Sequence, residues 1–407
     1  MPRREIIVGL DVGTTHVRAI IGELTTKGGV NIIGIGCAPS EGIKKGVIVG
    51  LDAAARSIRQ AVETAQRMAG VEVSSVYLGI NGSHIALSTN RGVVAVGRDD
   101  KEITQDDLLR VMQASQVMAL GQEREVIEAI PKQFIVDGYE GIHDPVGMLG
   151  VRLEVETLLV TGSSNSIQNL VRCVQRAGYV VAEIVLTGLA SSEVILSNDE
   201  KELGVALLDI GGGTTEISVF RDGCLQAVSV LPLGGDLVTS DIAMGLRTPL
   251  SEAEKAKCHY GVASLRAAQD DQIFEVANVS GTESRRISQR ILTGIIEPRL
   301  QEMVEITARE LRRLGYQDLL PAGLVLTGGV SLTQGIRELT EEMVHLSTRT
   351  ALPDFIGVDN PIFTGAVGIV VYAARHKRAA VEVAAARPAK PGLIGRLRSW
   401  WDGFLEE

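Results

Sequence analysis

Two aspartates, each followed closely by glycine and threonine, are the residues of this chain best suited to chemistry. The first lies in Leu10-Asp11-Val12-Gly13-Thr14-Thr15 and the second in Leu208-Asp209-Ile210-Gly211-Gly212-Gly213-Thr214-Thr215. A carboxylate leaving the end of an apolar strand can face a cleft, glycines let backbone N–H groups come close to an anion, and threonine hydroxyls add donors. Facing each other, two such turns offer donor-rich loops to a phosphate chain. Asp11 and Asp209 would then serve the divalent cation, Mg²⁺, that accompanies it. One copy alone is compatible with an ordinary hairpin. Its recurrence in the same chain favours the phosphate reading.

The elements that must position these residues repeat as well. Apolar runs at 6–10 and 17–21 flank the first motif, with a third strand expected over 30–36; runs at 205–208 and 217–220 flank the second, with a third strand over 224–231. Two halves of one chain thus open with the same three-strand meander, offset by about 200 residues. This resembles the actin and sugar-kinase ATPase fold, in which duplicated α/β domains close over a nucleotide. The resemblance implies an adenosine loop, and Leu324-Val325-Leu326-Thr327-Gly328-Gly329 fits it, ending an apolar strand before a helix expected from Ser331.

Composition agrees. A chain of 407 residues exceeds what one hydrophobic core usually holds, so more than one domain is expected. Aromatic residues make up 3% and glycine numbers 45, which leaves Val, Ile, Leu and Ala to fill α/β layers. A net charge of -10 argues against a general nucleic-acid binder. Cys37, Cys173, Cys224 and Cys258 are widely separated and mostly within apolar runs, which leads us to expect buried thiols in a reducing compartment rather than a zinc cluster or disulfide framework. Residues 1–10 lack the long apolar region of a signal peptide, and the body is expected in the cytoplasm.

The segment after the first half's strand at 73–80 interrupts the two-domain scheme. Short strands are expected at 85–88 and 92–96, a helix from Thr104-Gln105-Asp106-Asp107 to about Met118, and extended chain at 125–139 and 149–161. An insertion here, directly after Tyr77-Leu78-Gly79-Ile80-Asn81-Gly82-Ser83-His84, is similar to the FtsA family of actin-like division proteins. Asp144-Pro145 with Gly150, Gly188-Leu189-Ala190 and 208–216 extend the resemblance over essentially the whole chain. The implied fold is α/β: an actin-like duplicated nucleotide-binding fold with an inserted subdomain in the first half and a C-terminal amphipathic helix. The expected boundaries are 1–83 and 162–200 for the first actin-like domain, 84–161 for the insert and 201–376 for the second domain. Its outer subdomain would span about 235–320, followed by a flexible linker at 377–391 and a membrane-binding helix at 392–407. Helices at 189–196 and 365–374 would connect the domains; their small residues permit shear or plain close packing.

The resemblance also assigns roles. ATP with Mg²⁺ would lie between the halves, with Gly13, Thr14, Thr15, Gly211, Gly212, Gly213, Thr214 and Thr215 on the phosphates. Gly328 and Gly329 would serve the nucleoside. Gly234 could approach the nucleotide or simply open a helix; Glu254 and Lys257 resemble the family's ribose and base contacts, though an i,i+3 pair also suits routine ion pairing. ATP hydrolysis is expected to be weak or absent, and no catalytic base is assigned. In the tail, Leu393, Ile394, Leu397, Trp400, Trp401, Phe404 and Leu405 share a helical face opposite Arg396, Arg398, Asp402 and Glu406. That pattern suits an anchor on an anionic membrane or a docking helix. The implied function is an ATP-binding protein that forms filaments on the inner membrane, tethers the C-terminal segment of FtsZ at the division site and helps recruit later division proteins. The alternative is a PilM-type component of pilus assembly.

Overall fold

The computed structural model describes residues 5–25, 29–97, 100–117, 123–278 and 284–385. The first half opens with β1 (Ile6–Val12), β2 (His16–Leu24) and β3 (Val30–Pro39), then a small hairpin, β4 (Ile43–Lys44) and β5 (Val47–Ile48), helix α1 (Leu51–Ala69) and β6 (Ser75–Ile80). Helix α1 forms because Ala54, Ile58, Ala61, Val62 and Ala65 recur at helical spacing and are all buried, and it stops at Gly70 in the left-handed region. Gly34 and Gly36 of β3 let its backbone close on this helix, since a Cβ at either would collide with the carbonyls of Ala65 or Ala61.

The insert follows as β7 (Ala86–Ala95), α2 (Gln105–Gln116), β8 (Arg124–Val136), β9 (Tyr139–Ile142) and β10 (Arg152–Ser163). Its strands form one antiparallel sheet in the order β7-β10-β8-β9. The two short strands expected at 85–88 and 92–96 are one strand. Polar Thr89, Asn90 and Arg91 suggest a turn, but β10 pairs with β7 without a break from Ala86 to Ala95, and that ladder overrides local preference. Helix α2 starts where its sequence says, in a capping box between Thr104 and Asp107, and covers a core that includes Val111, Phe134, Leu153 and Val155.

The chain returns to the first half through α3 (Ser164–Ala177) and β11 (Val180–Leu186), then crosses over by α4 (Thr187–Ile195) and α5 (Asn198–Leu203). The second half comprises β12 (Val205–Ile210), β13 (Thr215–Arg221), β14 (Cys224–Leu231), α6 (Gly235–Leu246), α7 (Leu250–Tyr260), β15 (Ile273–Ala277), β16 (Ser284–Ser288), α8 (Gln289–Arg313), β17 (Leu324–Thr327), α9 (Ile336–Val344), β18 (Thr348–Thr350) and α10 (Thr364–Ala385). The two main sheets have matching orders, β11-β6-β1-β2-β3 and β14-β13-β12-β17-β18 read from opposite edges, so the duplication seen in the motifs is a duplication of topology. After β17 a 3₁₀ turn over Gly329–Leu332 stands where a helix from Ser331 is expected; the helix proper begins at Ile336, after Gly335 in the left-handed region.

Helix α10 belongs by sequence to the second half but packs on the first. Ala366, Val367 and Val370 share a buried cluster with Ile7 of β1 and Ile20 of β2. It also lies on α4, with Gly368 so near that an added Cβ would stand 2.5 Å from the Ala190 carbonyl oxygen. The helix runs on through 377–385, the beginning of the segment read as linker, because Ala, Arg and Glu there are strong helix formers. The rest of that segment, and residues 392–407 where a membrane-binding helix is expected, lie outside the described residues. Among those residues no helix is long and apolar enough to cross a membrane.

One polar contact pins the insert to α10. The Tyr372 hydroxyl, on a side chain almost wholly buried, donates to Oε1 of Glu128 on β8, whose Oε2 is buried without a hydrogen-bond partner among the described residues. Tyr372→Phe would strip Glu128 of this donor. Urea unfolding should show a loss of about 1–3 kcal/mol. An unchanged midpoint would mean that the contact contributes nothing net.

Candidate functional site

Asp11 and Asp209 sit at equivalent places near the ends of β1 and β12. Each strand turns back sharply after its aspartate: Gly13 N donates to His16 O at 3.2 Å in the first copy, and Gly211 N to Thr214 O at 2.9 Å in the second. The two turns face each other across the seam between the halves. A Cβ on Gly213 would lie 2.7 Å from Thr14 Oγ1, and one on Gly212 would run into Thr15 Oγ1, so only glycine lets the loops approach this closely. Gly328 has φ of 82° and presents its bare Cα to Asp209, leaving no room for a side chain.

These loops form part of the wall of a cavity of about 340 Å³. Of the residues singled out in the sequence, Asp11, Gly13, Thr14, Thr15, Asp209, Gly211, Gly212, Gly213, Thr214, Glu254, Lys257, Gly328 and Gly329 all line it. Thr215 does not. Strand alternation turns it the other way, and its hydroxyl donates to Leu233 O at 2.9 Å inside the second half. Gly234 also stays off the wall: it caps α6 from behind the second loop, where a Cβ would strike the carbonyls of Gly211 and Gly212. Glu254 and Lys257 are brought together on α7, with Lys257 Nζ 2.7 Å from Glu254 Oε2 and 3.2 Å from Gly235 O. Burial works against ionisation of Glu254, but Lys257 and Thr239 outweigh it and hold the carboxyl below its usual range.

Sequence reasoning missed several wall residues, chiefly His16 and Arg18 on β2, Asn81 after β6, Asp236 at the start of α6 and Glu216 on β13. A signal for Glu216 was present. Glu216 and Ser218 alternate with Ile217 and Val219 in a strand otherwise fit for a core, and a polar i,i+2 pair there marks a face turned toward something polar. The register makes the comparison direct, for Asp11 pairs across the strands with Arg18, whereas Asp209 pairs with Glu216.

The electrostatics follow from this pairing. Burial raises the Asp11 carboxyl, an effect opposed by the Arg18 guanidinium 3.7 Å away. Burial and then the charge of Asp11 push Asp209 up to about 7. Burial, followed by Asp209, pushes Glu216 up to about 8. Inside the same wall, Thr15 Oγ1 and Glu216 Oε2 are buried and have no hydrogen-bond partner among the described residues. Excess carboxylate, unspent hydroxyl and loops without side chains suit a polyphosphate carrying a divalent cation. Among the described residues no group of three or more His, Cys, Asp or Glu side chains forms a metal cage by itself. Mg²⁺ keeps several waters and is held by one or two carboxylates together with phosphate oxygens, a role that Asp11 and Asp209 fit.

A pH dependence follows. Asp209 and Glu216 titrate near 7 and 8, above their ordinary carboxylate values, so the nucleotide-free fold binds more protons than the unfolded chain between about pH 4 and 8. These two groups should therefore lower its stability as pH rises through that window. A cation favours the ionised forms, so Mg-nucleotide binding should release protons and tighten toward pH 8. Calorimetric titration in buffers of different ionisation enthalpy measures the release; proton uptake would contradict the assignment.

Two domains of one topology facing each other across a cleft define an actin-like nucleotide-binding fold. Structural likeness extends to a chain of a PilM–PilN type IV pilus biogenesis complex (TM-score 0.64, 17% identity, 91% of this chain and 99% of that one) and to MreB5 of Spiroplasma citri bound to ADP (TM-score 0.57, 14% identity, 93% and 99%). At such identities the likeness is one of fold. The family is fixed by sequence: the model for cell division protein FtsA matches residues 206–368, and that for the SHS2 domain inserted in FtsA matches residues 82–161. Cell division protein FtsA of Bacillus subtilis is 45% identical over 378 residues, covering 93% of this chain and 86% of that protein. The FtsA of Pseudomonas aeruginosa is 39% identical (98% and 98%) and that of Escherichia coli K12 36% identical (98% and 97%). The chain belongs to the FtsA family of actin-like, ATP-binding cell division proteins.

Proposed function

We propose that this protein binds Mg-ATP between its halves, assembles into filaments on the cytoplasmic face of the cell membrane, and tethers the FtsZ ring there while helping to recruit later division proteins. The observation that carries the reading is the approach of the two duplicated loops, Gly212 and Gly213 against Thr15 and Thr14, beside the half-buried carboxylates of Asp11 and Asp209. In this reading Asp11 and Asp209 act on the cation mainly through water. Gly13, Thr14, Thr15 and residues 211–214 hold the phosphates, Gly234 braces the second loop, and Gly328, Gly329, Glu254 and Lys257 serve the nucleoside. Bound ATP supplies the charge that draws the loops together, and its turnover is slow or absent. The FtsZ C-terminal segment docks on the outer subdomain around 235–320, while the tail holds the body to anionic lipid.

Filaments are the part of this reading most open to direct sight. Actin-like bodies stacking head to tail make a heterologous contact that does not close, and a polymer follows from that geometry. Electron microscopy on an anionic lipid monolayer with Mg-ATP should show rows of particles. Isolated particles alone at high surface density would sink the claim; monomers in free solution would not, because attachment raises local concentration.

A further inference from the structure

The two copies of the phosphate turn differ in one chemical respect. In the first, the residue opposite the aspartate is Arg18, which answers the charge of Asp11. In the second it is Glu216, which adds another carboxyl beside Asp209. Glu216 is 3% exposed, in a place where a like-charged neighbour and dry surroundings both cost stability. Its two oxygens face different environments. Oε1 lies within 3.4 Å of the Ser218 hydroxyl, and the Gly188 N–H also favours the ionised carboxyl. Oε2 is buried and unpartnered among the described residues, on a side chain that lines the cleft.

Gly188 stands in the first turn of α4, the helix that joins the halves. A Cβ there would collide with both Glu216 Oε1 and Ser218 Oγ, so the helix comes this close to β13 only because residue 188 is glycine. Two residues further on, α4 rests on α10 through the contact of Ala190 with Gly368. One carboxyl thus faces the cleft on one side and touches the start of α4, a helix that also packs on α10, on the other.

We propose that Glu216 is a positioning residue that ties occupation of the cleft to α4: its free oxygen takes up a water or hydroxyl donor of the bound nucleotide, while the other keeps hold of the helix start. The inference rests on the nucleotide reading above and adds the route by which binding reaches the connecting helices. Filling the cleft gives Oε2 the partner it lacks and fixes the carboxyl in one orientation, and a fixed carboxyl fixes the N-terminus of α4. Such coupling requires only that the two ends of one side chain be satisfied together.

Hydrogen exchange of the full chain, with and without saturating Mg-ATP, tests this. In the parent protein nucleotide should protect the amides of both phosphate loops and, several-fold, those of α4. Glu216→Ala should bind several-fold more weakly; at saturation its loops should still be protected while the α4 response is lost. Glu216→Gln, which keeps length and one acceptor, should retain the α4 response. Gly188→Ala, which pushes the carboxyl away from the helix side, should lose it with the loops still protected. A side chain that merely fills space would shift α4 exchange equally with and without nucleotide. An α4 response in Glu216→Ala equal to that of the parent overturns the proposal, as does protection of the parent's loops with none at α4. If Mg-ATP protects neither loop in the parent, the nucleotide reading itself falls and takes this inference with it.

Discussion

Asp209→Ala should bind Mg-ATP about 100-fold more weakly or worse, a loss of roughly 3 kcal/mol, while its nucleotide-free form becomes harder to unfold. The two signs come from one arrangement. Asp209 is half-buried, with Asp11 for a neighbour and Glu216 across the ladder, so without a cation it is a burden. With a cation present the same crowding of negative charge becomes the source of affinity, because the field of each carboxylate acts in a site with little water to screen it. Removing one carboxyl relieves the empty form and weakens the loaded one. Asp11→Ala should differ in the first respect, since it leaves the half-buried Arg18 without its ion-pair partner and gains no stability. Calorimetric titration and thermal unfolding read both quantities. Unchanged affinity in a folded Asp209→Ala protein would remove Asp209 from the site.

Trp400→Asp with Trp401→Asp should abolish sedimentation with anionic vesicles and leave Mg-ATP binding untouched. Both tryptophans of the chain lie in the last eight residues, beside Leu397, Phe404 and Leu405 and close to Arg396 and Arg398. A charge at the centre of an apolar face that must enter the headgroup boundary opposes insertion, and a single amphipathic helix holds only reversibly to begin with. Equal sedimentation of both forms would show that the tail is not the anchor. An intact protein that binds vesicles but brings no FtsZ with it would leave the anchor standing and defeat the adaptor reading.

The sequence was most readable where the chain repeats itself. Asp11 and Asp209 end strands of equal surroundings, and recurrence turned a common hairpin pattern into a cleft with two facing walls. Gly328 was legible for a related reason, as a glycine ending an apolar strand. Where single residues had to be chosen, strand alternation decided and was overlooked: Thr215 points into the second half, and its neighbour Glu216 reaches the cleft. His16 and Arg18, Asn81 and Asp236 come to the wall from three places in the chain, through the packing of β2, β6 and α6 that no local pattern encodes. Likewise β7 is continuous because β10 runs its whole length, a fact held by the partner strand rather than by Thr89, Asn90 and Arg91.

The seat of α10 beneath β1 and β2 bears on how this chain comes off the ribosome. Ile7 and Ile20 are synthesised more than 340 residues ahead of the surface that shields them, Ala366, Val367 and Val370. A nascent chain can form the first sheet, pack α1 on its other side and even complete the insert, yet one sheet face stays bare until α10 has emerged. Contacts of such separation are slow to form, and an apolar sheet left open is prone to stick to its neighbours. Premature termination anywhere before Thr364 would therefore release a fragment with the first half uncovered, a natural client for chaperones and proteases, however well its second half had folded.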